Sequence, residues 1–297
     1  MFRLPKAGIV LVIFLTIWLG CATTAQADPF VFTITDLGML PGGSYSSATS
    51  INDSGQIVGV ADTTGTSRGD RAFLYNNGVM QNLGALGRSN SFASAINNSG
   101  QVTGAVYDID EDFGFAFLYE GGVMQLLPSL PCGSPSRPAP CFSNGYGINN
   151  SGQIVGRYLA NFGPSEALLY SDGTPQSITP ADSIRGVALN INDSGQVVGF
   201  RDSFDDRREA FLYNSASGEQ QLLGLGIALG INNSGQVVGC TNAPARIFSS
   251  VNCTGQAFLY SDEVRQDLGT LGGSTSAAFG INDFGLVPHF INTYQDR

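Results

Sequence analysis

The stretch Ile191-Asn192-Asp193-Ser194-Gly195-Gln196-Val197-Val198-Gly199 decides how this chain is read. An apolar residue leads into a short polar turn, a glycine supplies the positive φ that a bulged turn demands, and apolar residues resume at once. That pattern is a hairpin. Written as I-N-[DN]-S-G-Q-[IV]-x-G, it starts at Ile51, Ile96, Ile148, Ile191 and Ile231. A sixth copy opens at Ile281 and loses the pattern after Gly285. Spacings of 45, 52, 43, 40 and 50 residues between these starts are those of blade-like repeats.

Two further motifs keep the same beat. A-[FL]-L-Y begins at Ala72, Ala116, Ala167, Ala210 and Ala257, and a D-L-G-like strand appears at Asp36, Asn82 and Asp267, with looser versions near Leu126, Ile178 and Leu222. The first unit therefore predicts four short strands, over 48–52, 56–61, 71–75 and 79–83, with Asn76-Asn77-Gly78 as the second tight turn. Hairpin follows hairpin with no 3.6-residue periodicity, which argues for an antiparallel meander. Units fall near 44–87, 88–131, 142–180, 183–225 and 226–272, with a partial one at 273–297.

The strand before each turn is small on one face. Three residues ahead of the isoleucine stand Ala48, Ala93, Gly145, Ala188, Ala228 and Ala278; one residue ahead stand Ser50, Ala95, Gly147, Asn190, Gly230 and Gly280. In a propeller the innermost strands crowd around the axis, where large side chains collide, so this strand is assigned as innermost. The expected fold is all-β: a six-bladed β-propeller of four-stranded antiparallel sheets. A lone D-L-G strand in 30–40 would pair with 273–297, so that both termini close the last blade and remove exposed edges. The alternatives are an open β-solenoid, or a chain cut short after residue 285, where Leu286-Val287-Pro288-His289 replaces the expected Q-V-V-G.

These strings resemble the HAF-repeat family of bacterial extracellular proteins. The resemblance rests on DLGTLGG at 267–273, the INDSGQVVG strings and the AFLY strings, and covers nearly all of 32–285. The family's histidine before A-F/L-L-Y is replaced by Arg71, Phe115, Glu166, Glu209 or Gln256, and tyrosine stands where the family often has tryptophan, so neither is a required chemical group. The resemblance implies export and a propeller-like repeat, and no established activity. Many members carry a C-terminal surface-sorting tail, and none is visible in this sequence.

Residues 1–27 read as a secretory signal: Arg3 and Lys6, an apolar run from Ala7 to Gly20, then Ala25-Gln26-Ala27 before Asp28. The run is short of the roughly 20 residues of a spanning helix, so no membrane span is expected after cleavage. A lipoprotein signal ending in Leu19-Gly20-Cys21 is the rival reading. The chain would be secreted, periplasmic or held at the cell surface as one repeat domain, 28–297. Cleavage removes two of the 14 basic residues and none of the 24 acidic ones, leaving a net charge of −12. That charge repels phosphate backbones and argues against nucleic acid as a partner. Charged residues are only 13% of the chain, and turn-forming Gly, Ser, Thr and Asn take their place.

In a four-stranded blade the 1–2 and 3–4 turns share one face, and the 2–3 and 4–1 loops the other. The first set is nearly constant between units, while the second varies, as in 62–70, 107–114, 128–145, 202–208 and 240–255. Binding residues belong on loops held by a rigid scaffold, so the variable face is the expected interaction surface, with Tyr107, Phe113, Tyr158, Phe162 and Phe204 as its aromatic candidates. Neutral drift of unconstrained loops would look the same. Both mature cysteine pairs fall there, Cys132 with Cys141 and Cys240 with Cys253, and an even count in an exported chain favours local disulfides.

Asp108, Asp110 and Asp112 alternate as calcium ligands do, but Gly114 comes one place late and no downstream glutamate is placed to chelate, so a solvated acidic loop competes with a calcium site. No other cofactor is indicated. The N-x-S strings at Asn52, Asn97, Asn149, Asn192 and Asn232 sit inside the repeated turn, and turn chemistry explains them better than glycosylation. A non-catalytic binding or structural surface module, facing a glycan or a cell-surface protein, is the leading reading. The other is a propeller enzyme acting on extracellular polysaccharide. Acid–base work would draw on Glu166, Asp205, Asp206 or Glu209, which nothing in the sequence pairs, and the single histidine, His289, lies in the degenerate tail.

Overall fold

The computed structural model of the 297-residue chain describes residues 34–65, 69–108, 114–130, 133–134, 137–138, 141–160, 164–243, 253–270, 272–287 and 289–292. The expected signal at 1–27 lies outside them. Among the described residues there is no helix. Five four-stranded antiparallel sheets follow one another, each a meander in chain order. The first holds β1 (Ser46–Ile51), β2 (Ile57–Asp62), β3 (Asp70–Asn76) and β4 (Val79–Asn82), and the second β5 (Asn90–Ile96), β6 (Val102–Tyr107), β7 (Phe115–Glu120) and β8 (Val123–Leu126). A small hairpin, β9 (Gly133–Ser134) and β10 (Arg137–Pro138), precedes the third sheet. That sheet holds β11 (Cys141–Ile148), β12 (Ile154–Ala160), β13 (Ser165–Ser171) and β14 (Thr174–Ser177). The fourth is β15 (Ser183–Ile191), β16 (Gln196–Ser203), β17 (Arg208–Asn214) and β18 (Gln220–Leu225), and the fifth β19 (Ile227–Ile231), β20 (Val237–Cys240), β21 (Ala257–Ser261) and β22 (Val264–Gly269). A sixth sheet has two strands, β23 (Thr275–Ala278) and β24 (His289–Asn292).

The first strands of sheets one to five lie beside one another in succession. At the position just before the isoleucine, a Cβ on Gly147 would stand 3.2 Å from the Asn190 Cα of the next sheet, which is the crowding that small residues relieve. The position between the two small ones behaves differently. Each first strand bulges there, the pairing register skipping Thr49, Ser94, Tyr146, Leu189 and Leu229. Three of these bulge residues are large, and Tyr146, Leu189 and Leu229 pack into one cluster with Val187 and Ile227. The row of first strands is therefore not uniformly slim: small residues flank a bulky bulge.

The bulge also accounts for the motif's last glycine. A Cβ on Gly199 would fall 2.0 Å from the Val187 carbonyl oxygen across the hairpin, and the equivalent glycines of the other four sheets meet the same carbonyl at 1.8–2.0 Å. Behind the first strands, the A-[FL]-L-Y strand faces the preceding sheet: Phe211 is buried with Val155, Ala167 and Leu169, and Phe258 with Val198 and Ala210.

One expectation gains detail and another changes. D-L-G ends the fourth strand, as expected at 79–83, and Asp267 to Gly269 lie within β22. The side chains of Asp36, Asn82 and Asp267 each accept the amide of the glycine two residues on, closing an Asx turn that leaves Gly38, Gly84 and Gly269 at positive φ. Residues 34–40, by contrast, form no strand; Leu40 packs on Ala61 and Phe73. The sheets do not close among the described residues. Ile96, Ile148, Ile191 and Ile231 are buried against the sheet before them, but Ile51 has no such cover and is 63% exposed.

Candidate functional site

The two ends of the sheets are built on different principles. At the end carrying the constant turns, the motif's asparagine does two jobs. The Asn192 Oδ1 accepts from the amides of Ser194 (3.1 Å) and Gln196 (2.9 Å), which folds the turn. Its Nδ2 donates to Gln196 Oε1 and, at 3.0 Å, to the carbonyl of Asn232 in the next sheet. The same bond runs from Asn52 to Asn97, Asn97 to Asn149, Asn149 to Asn192, and Asn232 to Asn282. A second, exposed row lies beside it: the amides of Asp53, Asn98, Asn150, Asp193 and Asn233 each donate to the side chain of the next residue in that row. The buried asparagines of the N-x-S strings thus commit their amides to the scaffold. Sequence reasoning saw the turn and missed this ladder. The signal was present in the glutamine four places on, which a turn alone does not need.

The opposite, variable end holds its loops with charge. Asp62, fully buried, accepts the amides of Ser44 (2.5 Å) and Tyr45 (2.8 Å) and so anchors the entry to the first sheet. Burial would raise its carboxyl, but the Tyr45 and Ser44 amides outweigh burial and hold it below the usual carboxylate range. The Tyr45 hydroxyl, which donates to Asp70 at 2.5 Å, is pushed up by its burial and by that carboxylate. In the fourth sheet Arg208 grips Asp202 with two bonds, 2.8 and 3.0 Å, both side chains being at most 2% exposed, while Arg185 approaches the same carboxylate at 3.4 Å. The Arg208 guanidinium also lies 4.1 Å over the Phe200 ring.

The predicted aromatic candidates separate. Phe204 is 72% exposed at the tip of a turn in which Ser203 accepts the Asp206 amide and donates its own to Arg207. Tyr107 is half-buried with its ring tilted against Phe92, and burial together with the Asp70 charge raises its hydroxyl. Tyr158 is no surface residue: it is buried in the core of the third sheet and its hydroxyl donates to the Leu130 carbonyl. The local reason is that Tyr158 follows Gly156 by two residues and so points as Ala61 and Val106 do in their sheets, inward. Phe113 and Phe162 lie outside the described residues.

Of the calcium candidates, Asp110 and Asp112 lie outside the described residues. Asp108 is engaged by Arg88 at 2.8 Å and by the Ser89 amide at 3.0 Å. Among the described residues no three His, Cys, Asp or Glu side chains converge as metal ligands would. Of the carboxylates considered for acid–base work, Glu209 is bound to Arg201 at 3.0 Å and Asp205 to Arg207 at 3.1 Å; Glu166 lies in a different sheet from both.

Cys240 and Cys253 form a disulfide, with Cα atoms 5.8 Å apart. Cys141 is disulfide-bonded, and Cys132, its expected partner, lies outside the described residues. Closing the 13-residue span from Cys240 constrains the unfolded chain by about 3 kcal/mol on the chain-entropy model. Cys240→Ala with Cys253→Ala is therefore expected to lower stability by about that amount in urea unfolding, with the five sheets retained by circular dichroism.

No protein-family model matches the chain, and no curated protein does. Among solved structures it is similar to the crystal structure of TolB from Acinetobacter baumannii, at 11% identity and a TM-score of 0.49, over 75% of this chain and 53% of that one. The match thus spans about half the length of that protein.

Proposed function

We propose that this chain is an exported, non-catalytic binding module of the HAF-repeat type, a six-bladed β-propeller that meets a cell-surface glycan or protein through its 2–3 and 4–1 loops. The observation that carries the reading is the contrast between the two ends. One is knitted sheet to sheet by constant asparagines, and the other presents Phe204 on a turn braced from below by Asp202 and Arg208. An exposed aromatic on a rigid support is the residue type and setting of an interaction anchor.

Ring closure by both ends of the chain is part of this proposal, and a repeated bond supports it. Ser91 and Ser276 each stand second in a first strand and donate to the glycine carbonyl of the preceding D-L-G, at Gly84 and Gly269. Ser46 makes the same bond to Gly38, so Asp36-Leu37-Gly38 stands where the fourth strand of a preceding sheet would end. The exposed Ile51 is the surface such a sheet would cover. Export is supported by the signal-like residues 1–27 and by disulfides, which persist in oxidising compartments. Among the described residues no helix is long and apolar enough to cross a membrane.

The test is binding to a glycan array and to purified cell-envelope proteins. Phe204→Ala is expected to weaken whatever binding is found by about tenfold, a loss typical of an anchor residue. Asp53→Asn, at the constant end, is expected to leave it unchanged. Equal sensitivity at the two ends, or none at Phe204, would reject the loop face.

A further inference from the structure

The outer strands of neighbouring sheets are joined in places by a glutamine–tyrosine bond. Gln81 of the first sheet donates to the Tyr119 hydroxyl of the second at 3.2 Å, and Gln221 of the fourth to Tyr260 of the fifth at 2.7 Å. Gln176 of the third sheet and Tyr213 of the fourth hold the same positions, each glutamine being paired in register with the leucine of A-[FL]-L-Y. No bond joins Gln176 to Tyr213. Both instead line a groove of about 570 Å³ between the two sheets.

Strand β16 makes this seam unlike its neighbours. Arg201 stands two residues after the motif's last glycine, where Ala61 and Val106 are fully buried in their own sheets. Its guanidinium reaches Asp182 at 2.6 Å and Glu209 at 3.0 Å, with its side chain only 9% exposed. Gln220 also lines the groove, and its Nε2 is buried with no hydrogen-bond partner. A buried amide left in that state costs free energy unless something completes it.

We infer that this groove, which runs along the seam between the third and fourth sheets and reaches the 4–1 loop at Asp182, is a binding site for a neutral oligosaccharide distinct from the turn that carries Phe204. The volume lies within the range of ligand clefts, about 300–1,000 Å³, and suits about two or three linked sugar rings. The walls offer a fixed guanidinium–carboxylate pair, two amides and a phenol, which match hydroxyl groups that both donate and accept. Charge sets the class of sugar. Arg201 is balanced by Asp182 and outnumbered once Glu209 is counted, so no free positive charge awaits a phosphate, sulfate or uronate.

The experiment is calorimetric titration of the mature chain with neutral gluco-, manno-, galacto- and chito-trisaccharides, and with trigalacturonate as the anionic counterpart. At least one neutral trisaccharide is expected to bind with a Kd below about 1 mM, and trigalacturonate at least about tenfold more weakly. Two variants locate the site. Ser177→Trp fills the groove and is expected to reduce affinity at least about tenfold. Gln220→Leu removes the unpartnered amide, so it is expected to reduce affinity while Tm holds or rises, a split that general destabilisation does not produce. Phe204→Ala is expected to leave this binding intact, which separates its fate from that of the Phe204 anchor. The inference is overturned if no neutral trisaccharide binds below about 10 mM, if Ser177→Trp or Gln220→Leu binds as the parent does, or if trigalacturonate binds equally well.

Discussion

Asn192→Ala is expected to lower the unfolding free energy by about 3–4 kcal/mol, measured by urea denaturation. The substitution removes four hydrogen bonds at once, and the groups it abandons cannot all turn to water. The Asn232 carbonyl loses its inter-sheet donor and keeps only the Gly235 amide, while the amides of Ser194 and Gln196 lose the acceptor that shaped the turn. Each of the four bonds is worth about 1 kcal/mol. Asn282 gives the internal comparison. Its Oδ1 accepts from the amides of Phe284 and Leu286, but no onward bond from its Nδ2 is present among the described residues. Asn282→Ala should therefore cost about half as much. Equal losses at the two positions would show that the asparagines serve their own turns and contribute nothing between sheets.

Asp202→Ala is expected to cost about 3–5 kcal/mol, because it leaves the Arg208 guanidinium buried without its carboxylate. Arg185, which also approaches Asp202, loses the same counter-charge. Replacing both partners, Asp202→Leu with Arg208→Met, should recover much of the loss, since an apolar pair of similar volume avoids the desolvation penalty. The double variant separates stability from presentation. If the ionic pair orients the turn that carries Phe204, the double variant should unfold near the parent's denaturant midpoint and still lose loop-face binding. Recovery of both would make the pair a stability element only.

The strand and turn pattern was legible because it is local. Asn52 to Gly55 and Asn76 to Gly78 each declare a turn within four residues, and the strands between them follow to within two residues or so of their ends. The small residues at Ala188 and Asn190 likewise marked the crowded strand, but Leu189 between them could not be recognised as a bulge, since a register skip is a property of two strands. D-L-G was legible as the end of the fourth strand, but the Asx turn between its aspartate and glycine was not. The ladder was hidden for a different reason: its bonds join residues 40 to 52 positions apart, and only the packing of one sheet on the next brings them together. On the candidate site, Phe204 was within reach of sequence reasoning as an aromatic in a variable loop. Tyr158 was misjudged because loop length alone did not show how far β12 extends. The grip of Arg208 on Asp202 was open to discovery, as the two flank a five-residue turn and must face one another once the hairpin is drawn. Arg201 and the open seam beside it were not, because they depend on the third sheet.

The asparagine ladder has a consequence for how such a chain can change. Each rung is fixed by its own nine-residue string and by the next rung's carbonyl, and neither measures the length of polypeptide between them. Rungs 52 residues apart are spanned by the same bond as rungs 40 apart, at 2.9 and 3.0 Å. Additions such as the segment before Cys141 therefore accumulate on one side while the other keeps time. Selection, or a protein engineer, can rewrite the loops of a single repeat and leave the alignment of its neighbours untouched.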